Sequence, residues 1–434
     1  MSIENLEFLT KNTTDKSSDL YVNHPVDDQV LYGQSNKRYQ TQQGNIILDD
    51  SIIPKNVDYI NYLAVEIKLP KIILNPSAVG KYRIRWCKNV GLNILGKTVL
   101  KKGDSELLSL DADSNYMINS FKIPSKDQKI WKTLMGNGKD LTEPKKNSIP
   151  EKILMIPVFI FTMKGKTEEA LPAFKFHAEG LKFVIMPETS LSKFLILEEK
   201  TNDGWQMAKV SGIDIGKFIK NREVLESIKI RKFANIQTVK SQEHRNFLQE
   251  STNEVQLQKC IVFEGEATNK PVVKQTIDYN GPVSGMMFGV KNHTSAVDFN
   301  SHSNFTTFEY YPDGYNPIKS YTLEIGGKKI VDKATEEMSL IESLFYGKNS
   351  KVDVGLFYIP HTNNINKLGR GTCEYGCGDV KAALTMNLGE GNSYQDDTIK
   401  KDLENTYKPI ICLIIPTIYD SINGKMVERE YTKK

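Results

Sequence analysis

KILMIPVFIFTMKGKTEEALPAFKFHAEGLKFVIMPE, residues Lys152–Glu188, holds two apolar runs, Ile153–Phe161 and Leu181–Met186. Between them lie the polar stretch GKTEE at 165–169 and then Ala170, Leu171 and Pro172. Crossing a bilayer takes about 20 consecutive apolar residues, and neither run approaches that length. Both runs are rich in Ile, Val and Phe and are interrupted by Pro and Gly. That pattern predicts two buried strands with a loop between them. The stretch contains no nucleophile, no ligand pair and no phosphate loop, so its residues serve packing.

The same texture extends outward on both sides. From Ile46 the runs IILDDSIIP, YINYLAVEIKLPKIIL and YRIRWCKNVGLNILGKTVLKKG are short, β-rich and separated by Asp, Pro and Gly. Val65–Leu69 and Tyr82–Trp86 alternate apolar with charged residues, which predicts half-buried strands with their charges in solvent. Residues 106–142 carry Trp131, Leu134 and Met135 in polar surroundings and predict a short helix or a long excursion between strands. Lys193–Leu197 reads as a strand. Phe218, Ile219, Val224, Leu225 and Ile228 stand at near-helical spacing and predict a helix over Ile215–Ile228, with short strands as the alternative. Residues 241–259 are the most polar interior segment, and β runs resume from CIVFEG to PIICLIIPTIYD.

These runs predict a mainly β chain in two parts. Residues 1–45 are polar and read as an N-terminal arm. Residues 46–245 form the first domain, 246–259 the connection and 260–434 the second domain, within the usual domain size range. A weak duplication supports the division. GKTVLKKGDSELLSLDADSNYMI from Gly96 can be laid over KSYTLEIGGKKIVDKATEEMSLI from Lys319. This sets Leu100 opposite Leu323, Gly103 opposite Gly326, Leu107 opposite Ile330 and Met117 opposite Leu340. MIPVFIF then falls opposite VGLFYIP, and LKFVIM opposite ICLIIP. Two copies of one β-domain, each with its own core, account for such an order.

Composition and charge exclude several classes. Lys and Arg number 57 against 53 Asp and Glu, so the net charge is +4 and no general nucleic-acid polyelectrolyte role follows from it. The five cysteines, Cys87, Cys260, Cys373, Cys377 and Cys412, are odd in number and dispersed, which fits a reducing compartment better than a disulfide framework. The sequence MSIENLEFLTKNTTDKSS shows no signal-peptide pattern. The Asn-X-Ser/Thr sequons at Asn12, Asn292 and Asn304 then read as chance occurrences. Cys373 and Cys377 in CEYGC would need two further ligands to hold zinc, and His361 is the one local imidazole. No metal site, cofactor site or catalytic site is predicted. His24, His177, His244, His293, His302 and His361 lack metal-like spacing. The acid pairs Asp49–Asp50, Glu168–Glu169 and Asp396–Asp397 read as solvated loop charge. Trp86, Trp131 and Trp205 read as core or interface anchors. Gly326–Gly327 reads as a hairpin turn, and KIRKF at 229–233 as a strand with solvated cations.

The segment order resembles the double jelly-roll major capsid proteins of large icosahedral double-stranded DNA viruses, the nucleocytoplasmic large DNA virus lineage and its smaller relatives. YRIRWCKNVGLNILGKTVLKKG is similar to that family's Arg-Trp strand, amide-Val-Gly turn and strand ending in Gly. LMGNGKDLTEP followed by ILMIPVFIFTMKGKTEEALPAFKFHAEGLKFVI resembles its apolar-Pro-aromatic strand, Ala-Leu-Pro loop and following strand. SQEHRNFLQESTNEVQLQKC resembles the link between the rolls, IDYNGPVSGMMFGVKN the opening of the second roll, and IKSYTLEIGGKKIVD a later strand–turn–strand. Together they cover about residues 50–430. PVFIF lacks the family's Trp, GTCEYGCGDVKAALTMN replaces a Pro-Ser-Gly element, and the N-terminal arm does not match.

The resemblance implies two tandem eight-stranded jelly rolls with long inter-strand loops and a few short helices. It implies a non-enzymatic virion protein, made in the host cytoplasm, whose homotrimers form pseudo-hexagonal capsomers. Its partners would be neighbouring capsomers and, beneath the shell, minor capsid proteins or an internal membrane. It implies no sequence-specific nucleic-acid binding. Two other readings remain: a jelly-roll scaffold of immature virions, and a carbohydrate-binding or carbohydrate-active β-sandwich protein.

Overall fold

The computed structural model describes residues 38–429 apart from 49, 162–169, 240, 242, 244–245, 247–253, 308–313, 339–340, 342–352, 362–372, 376–379, 389–404 and 423–424, together with 22–23 and 30–32. The chain folds as two β-sandwiches. In the first, the strands are β1 (Arg38–Ile47), β2 (Tyr59–Leu69), β3 (Tyr82–Trp86), β4 (Lys97–Lys102), β5 (Ser105–Leu110), β6 (Lys152–Ile160), β7 (Leu181–Met186), β8 (Leu195–Thr201), β9 (Gly204–Met207) and β10 (Lys229–Val239). One layer has the order β1-β10-β2-β6, and the facing strands are β7-β4-β5. A third small sheet, β9-β8-β3, is built from excursions between those strands.

The second sandwich comprises β11 (Glu254–Glu264), β12 (Val272–Ile277), β13 (Gly285–Asn292), β14 (Ser320–Ile325), β15 (Lys328–Ala334), β16 (Leu356–Pro360), β17 (Ala382–Asn387), β18 (Tyr407–Ile422) and β19 (Lys425–Glu428). Its layers run β11-β18-β13-β16 and β12-β17-β14-β15. Alternating residues of both layers meet in one core, including Met286, Phe288, Phe357 and Leu413 from the first and Tyr321, Leu323, Leu384 and Met386 from the second. The β11-β18-β13-β16 order repeats β1-β10-β2-β6 strand for strand.

Lys152–Glu188 supplies one strand to each layer of the first sandwich. β6 pairs with β2, and β7 pairs with β4. The layers touch where Phe159 meets Phe183 edge-on, ring centroids 6.0 Å apart. The second run is half-buried rather than buried: Leu181 and Phe183 face the core while Met186 is 51% exposed. Phe161 lies past the strand end and is half-buried, its N–H donating to the Asn61 carbonyl at 3.0 Å.

The duplication is visible at the 223-residue offset. β4 shifted by 223 residues is β14, Leu100 and Leu323 are both fully buried, and Gly103 and Gly326 both have φ of +58°. A non-glycine residue is disfavoured at that φ, which is why glycine recurs in both hairpin turns. Gly326 and Gly327, both at positive φ, join Ile325 to Lys328 as the two-residue turn predicted. One overlaid pair differs: Leu107 is buried but Ile330 is 50% exposed. Leu340, set opposite Met117, lies outside the described residues.

LKFVIM does not correspond to ICLIIP. ICLIIP lies in β18, between β11 and β13, whereas LKFVIM is β7 beside β4. The partner of LKFVIM is β17, because Phe183 opposes Leu100 as Leu384 opposes Leu323. Apolar composition alone cannot tell a strand of one layer from a strand of the other.

Other expectations are corrected by tertiary contacts. The arm does not extend to residue 45, since β1 starts at Arg38 and pairs with β10 over Thr41–Ile47. The connection does not extend to 259, since β11 starts at Glu254 and pairs with β18 throughout. Val90–Leu95 is a helix, α1, where a turn and strand were expected; Asn89 enters it at φ of +53°. The 106–142 region is β5 followed by three helices, α2 (Ala112–Lys122), α3 (Gln128–Leu134) and α4 (Lys139–Thr142). Ile215–Ile228 is two short 3₁₀ turns, Ile215–Phe218 and Arg222–Glu226, because Ile219 between them bridges Leu74 in extended form. The charges of β2 and β3 are not all in solvent. Glu66 is buried near Arg231 at 3.7 Å, and Arg85 is buried against Glu198 at 3.2 Å.

Candidate functional site

Beyond the two cores, polar and apolar contacts gather where the sandwiches join. Helix α2 begins with a capping box, Asp111 accepting from Ser114 N at 2.7 Å and Ser114 Oγ accepting from Asp111 N at 3.0 Å. This fixes the helix start. Tyr116, Met117 and Phe121 then project from α2 toward the outer face of β11-β18-β13-β16. Phe121 meets Tyr358 of β16 at 5.4 Å, Met117 Sδ lies 3.6 Å from Cys412 Sγ of β18, and Tyr116 meets Phe305 at 6.1 Å. The first sandwich's core therefore continues through α2 into the second sandwich, taking in Met287, Tyr358, Ile410, Cys412 and Ile414.

Charged groups brace this apolar seam. Asp353, just before β16, accepts hydrogen bonds from Tyr116 and from Lys132 of α3, with Lys88 Nζ at 3.6 Å. Burial alone would raise the Asp353 carboxyl; Lys88 and Lys132 outweigh it and hold the group down at about 2. Lys291 of β13 pairs with Asp113 of α2 at 2.7 Å, and Lys122 donates to Gln258 of β11 at 2.6 Å. Burial lowers the Lys122 ammonium to about 8.

The long loops lock on a second line. Helix α5 (His293–Phe299) ends at Asn300, at φ of +57°, whose amide donates to the carbonyls of Ser192 and Leu195, both at 3.0 Å. His302 Nε2 lies 2.9 Å from the Lys193 carbonyl, and burial together with nearby Lys291 pushes the imidazole down to about 4. Val210 N–H donates to the Asp298 carbonyl at 2.6 Å. At the other end β18 extends beyond its own sandwich, so that Tyr419 meets Phe176 edge-on at 6.2 Å. Such paired, hydrogen-bonded charges around an apolar centre fix one relative placement of two bodies.

Of the residues weighed from sequence, Cys412 and His302 lie at this joint; others fall elsewhere. Trp86 and Trp131 are buried, and Arg83 lies over Trp205 at 4.3 Å from the ring centre. His361 Nε2 sits 2.9 Å from Tyr375 Oη, and burial lowers its imidazole to about 4. His177 Nε2 is 3.0 Å from the Val57 carbonyl. Cys373 lies in a short strand, Cys373–Tyr375, paired with Gly281–Val283. Cys377, His24, His244, Asp49, Glu168–Glu169 and Asp396–Asp397 lie outside the described residues. Among the described residues no three His, Cys, Asp or Glu side chains gather as a metal site, and no helix is long and apolar enough to cross a membrane. Arg231 and Lys229 of KIRKF are exposed on β10, as expected. Asp353, Lys88 and Asp113 carry no motif or spacing in the sequence that marks them.

Two sandwiches of one strand order, joined in tandem through a packed seam, define the class: a double jelly-roll protein. Residues 39–220 match the family model described as the major capsid protein N-terminus. The chain is 21% identical over 349 residues to the major capsid protein of Lymphocystis disease virus 1 (isolate Darai), covering 75% of this chain and 72% of that one. It is 22% identical over 269 residues to the major capsid protein of Trichoplusia ni ascovirus 2c, covering 58% and 53%. In fold it is similar to VP54 of PBCV-1, with a TM-score of 0.63 at 11% identity over 95% of this chain and 96% of that one. The Faustovirus major capsid protein gives a TM-score of 0.61 at 8% identity, over 96% and 94%.

Proposed function

We propose that the chain is a major capsid protein of a large icosahedral virus, a virion component with a structural rather than a catalytic role. The observation that carries this is the repeated sheet order in two sandwiches held by one fixed joint, together with sequence relatives that are themselves capsid proteins. The mechanism is geometric. Three chains with two similar sandwiches each supply six lobes, so a homotrimer has a pseudo-hexagonal outline able to tile a facet. For this the two sandwiches must keep one relative placement, which the α2 seam and the Asp353 cluster provide.

The N-terminal segment and the connection between sandwiches leave from one end of the first sandwich, where Thr41 opposes Val239. The long excursions carrying β3, β8, β9 and α1–α4 leave from the other. The reading assigns the first end to the inside of the shell, facing minor capsid proteins or a membrane, and the second to the outside. Synthesis in the host cytoplasm and the absence of sequence-specific nucleic-acid recognition belong to the same reading. Light scattering of the purified chain tests it: the expected mass is about three times 49.2 kDa, and a stable monomer contradicts it.

A further inference from the structure

We propose that the cap of the first sandwich formed by residues 71–75, 146–149 and 217–222 is a binding surface for a sulfated polysaccharide. Residues 71–75 run between two other segments and are bonded to both. Ile72 and Ile73 pair with Ile149 and Ser148, and Leu74 N–H donates to the Asn147 carbonyl at 2.9 Å. On the other side Lys220 N–H donates to the Ile73 carbonyl and Asn75 N–H to the Phe218 carbonyl, both at 2.8 Å. The Asn221 side chain closes the arrangement, accepting from Ile73 N at 3.0 Å and donating to the Lys71 carbonyl at 2.7 Å. Adjacent extended segments stand about 4.8 Å apart. Lys71, Lys146, Lys217, Lys220 and Arg222 are all exposed on this bonded platform.

The local acids are engaged elsewhere or outnumbered. Asp214 accepts from Gly216 N at 2.9 Å, Glu226 accepts from Ser190 at 3.0 Å, and Glu151 pairs with Lys68 at 2.9 Å. Residues 68–75, 143–152 and 214–229 together contain nine Lys and Arg (68, 71, 145, 146, 152, 217, 220, 222, 229) against five Asp and Glu (143, 151, 214, 223, 226). That excess of four equals the net charge of the whole chain, +4, so the remainder is neutral.

A cluster of exposed ammonium groups and one guanidinium on a bonded backbone supplies the charge and donors that sulfate oxyanions accept. Single-stranded nucleic acid is bound through aromatic platforms as well. The one aromatic in these three segments, Phe218, is half-buried and packs on Tyr82 at 4.8 Å between centroids. The cap lies at the end of the first sandwich where Lys68 opposes Lys229, away from the end where the N-terminal segment and the connection leave. Its outward direction in a particle rests on the proposed function.

The test is retention of the full chain on immobilised heparin at low salt, with duplex DNA as competitor. The native chain is expected to be retained and released by salt, and the variant K217E/K220E/R222E to lose retention, its affinity falling at least about tenfold. The milder variant K71Q/K146Q should elute earlier than the native chain. Duplex DNA at equal charge should compete poorly. No retention of the native chain, equal retention of the triple variant, or DNA competing as well as heparin would overturn the proposal. Mass measured on the same samples separates the two ideas: a monomer showing the same loss of retention keeps this surface and fails only the capsomer reading.

Discussion

Phe121 of the first sandwich and Tyr358 of the second stack at 5.4 Å between ring centroids with planes inclined by 37°. Phe121 is fully buried, and so is Tyr358. Because α2 carries Phe121 out of its own sandwich, the contact couples two bodies that otherwise have separate sheets. Phe121→Ala removes a large aromatic from the seam and leaves a cavity, at a cost of about 3–5 kcal/mol. Differential scanning calorimetry should show the single native transition broadened or split. An unchanged single transition would remove the seam from the account.

Acid should weaken the chain in two steps, His302 and Asp353 acting at the joint and His361 within the second sandwich. His302 and His361 are held below the ordinary histidine range by burial, both to about 4. The unfolded chain binds more protons there, so their stability contribution is intact above about pH 6.5 and is lost as pH falls toward 4. Asp353 is held at about 2. Its contribution of about 2 kcal/mol is present above the unfolded value near 4 and is lost between about pH 4 and 2. Urea midpoints taken from pH 7 to 2 should hold to about pH 6.5 and fall below it, and Asp353→Asn should flatten only the part below about pH 4.

Phe159→Asp and Phe161→Asp should differ. Phe159 is in the core against Phe183, so a carboxylate there is buried without a partner and should leave the chain insoluble, a loss of more than about 4 kcal/mol. Phe161 is half-buried past the end of β6, so its aspartate can reach water and soluble protein should remain. Comparing the soluble fractions of the two variants on expression checks the strand boundary.

Glycines at positive φ separate in the same way. Gly103→Ala carries backbone strain but little crowding, its nearest neighbour being the Glu179 carbonyl oxygen at 3.7 Å, and should cost about 1–2 kcal/mol. At Gly355, φ +85°, a Cβ would also overlap the Phe305 carbonyl, so Gly355→Ala should displace β16 and cost considerably more. Thermal melts of the two variants give the ordering.

Much of this fold was legible because strand texture survives in the sequence. Lys152–Ile160 and Leu181–Met186 carried period and composition enough to be placed, and the 223-residue offset gave β4 and β14 their equivalence. What was hidden depended on distant partners. Glu198, remote in sequence, decides that Arg85 is buried, and Leu74 decides that Ile219 is extended. The joint was least legible. Nothing in the local sequence of Tyr116, Met117 and Phe121 shows that their partners lie in the other sandwich, and nothing local to Asp353 announces Lys88 and Lys132 beside it.

Electron microscopy of the purified oligomer tests the central claim most directly, because equal lobes are what a doubled sandwich contributes. Class averages down the symmetry axis should show three chains as six similar densities in a pseudo-hexagonal outline. Particles with one lobe per chain, or with two lobes whose separation varies from particle to particle, would contradict it.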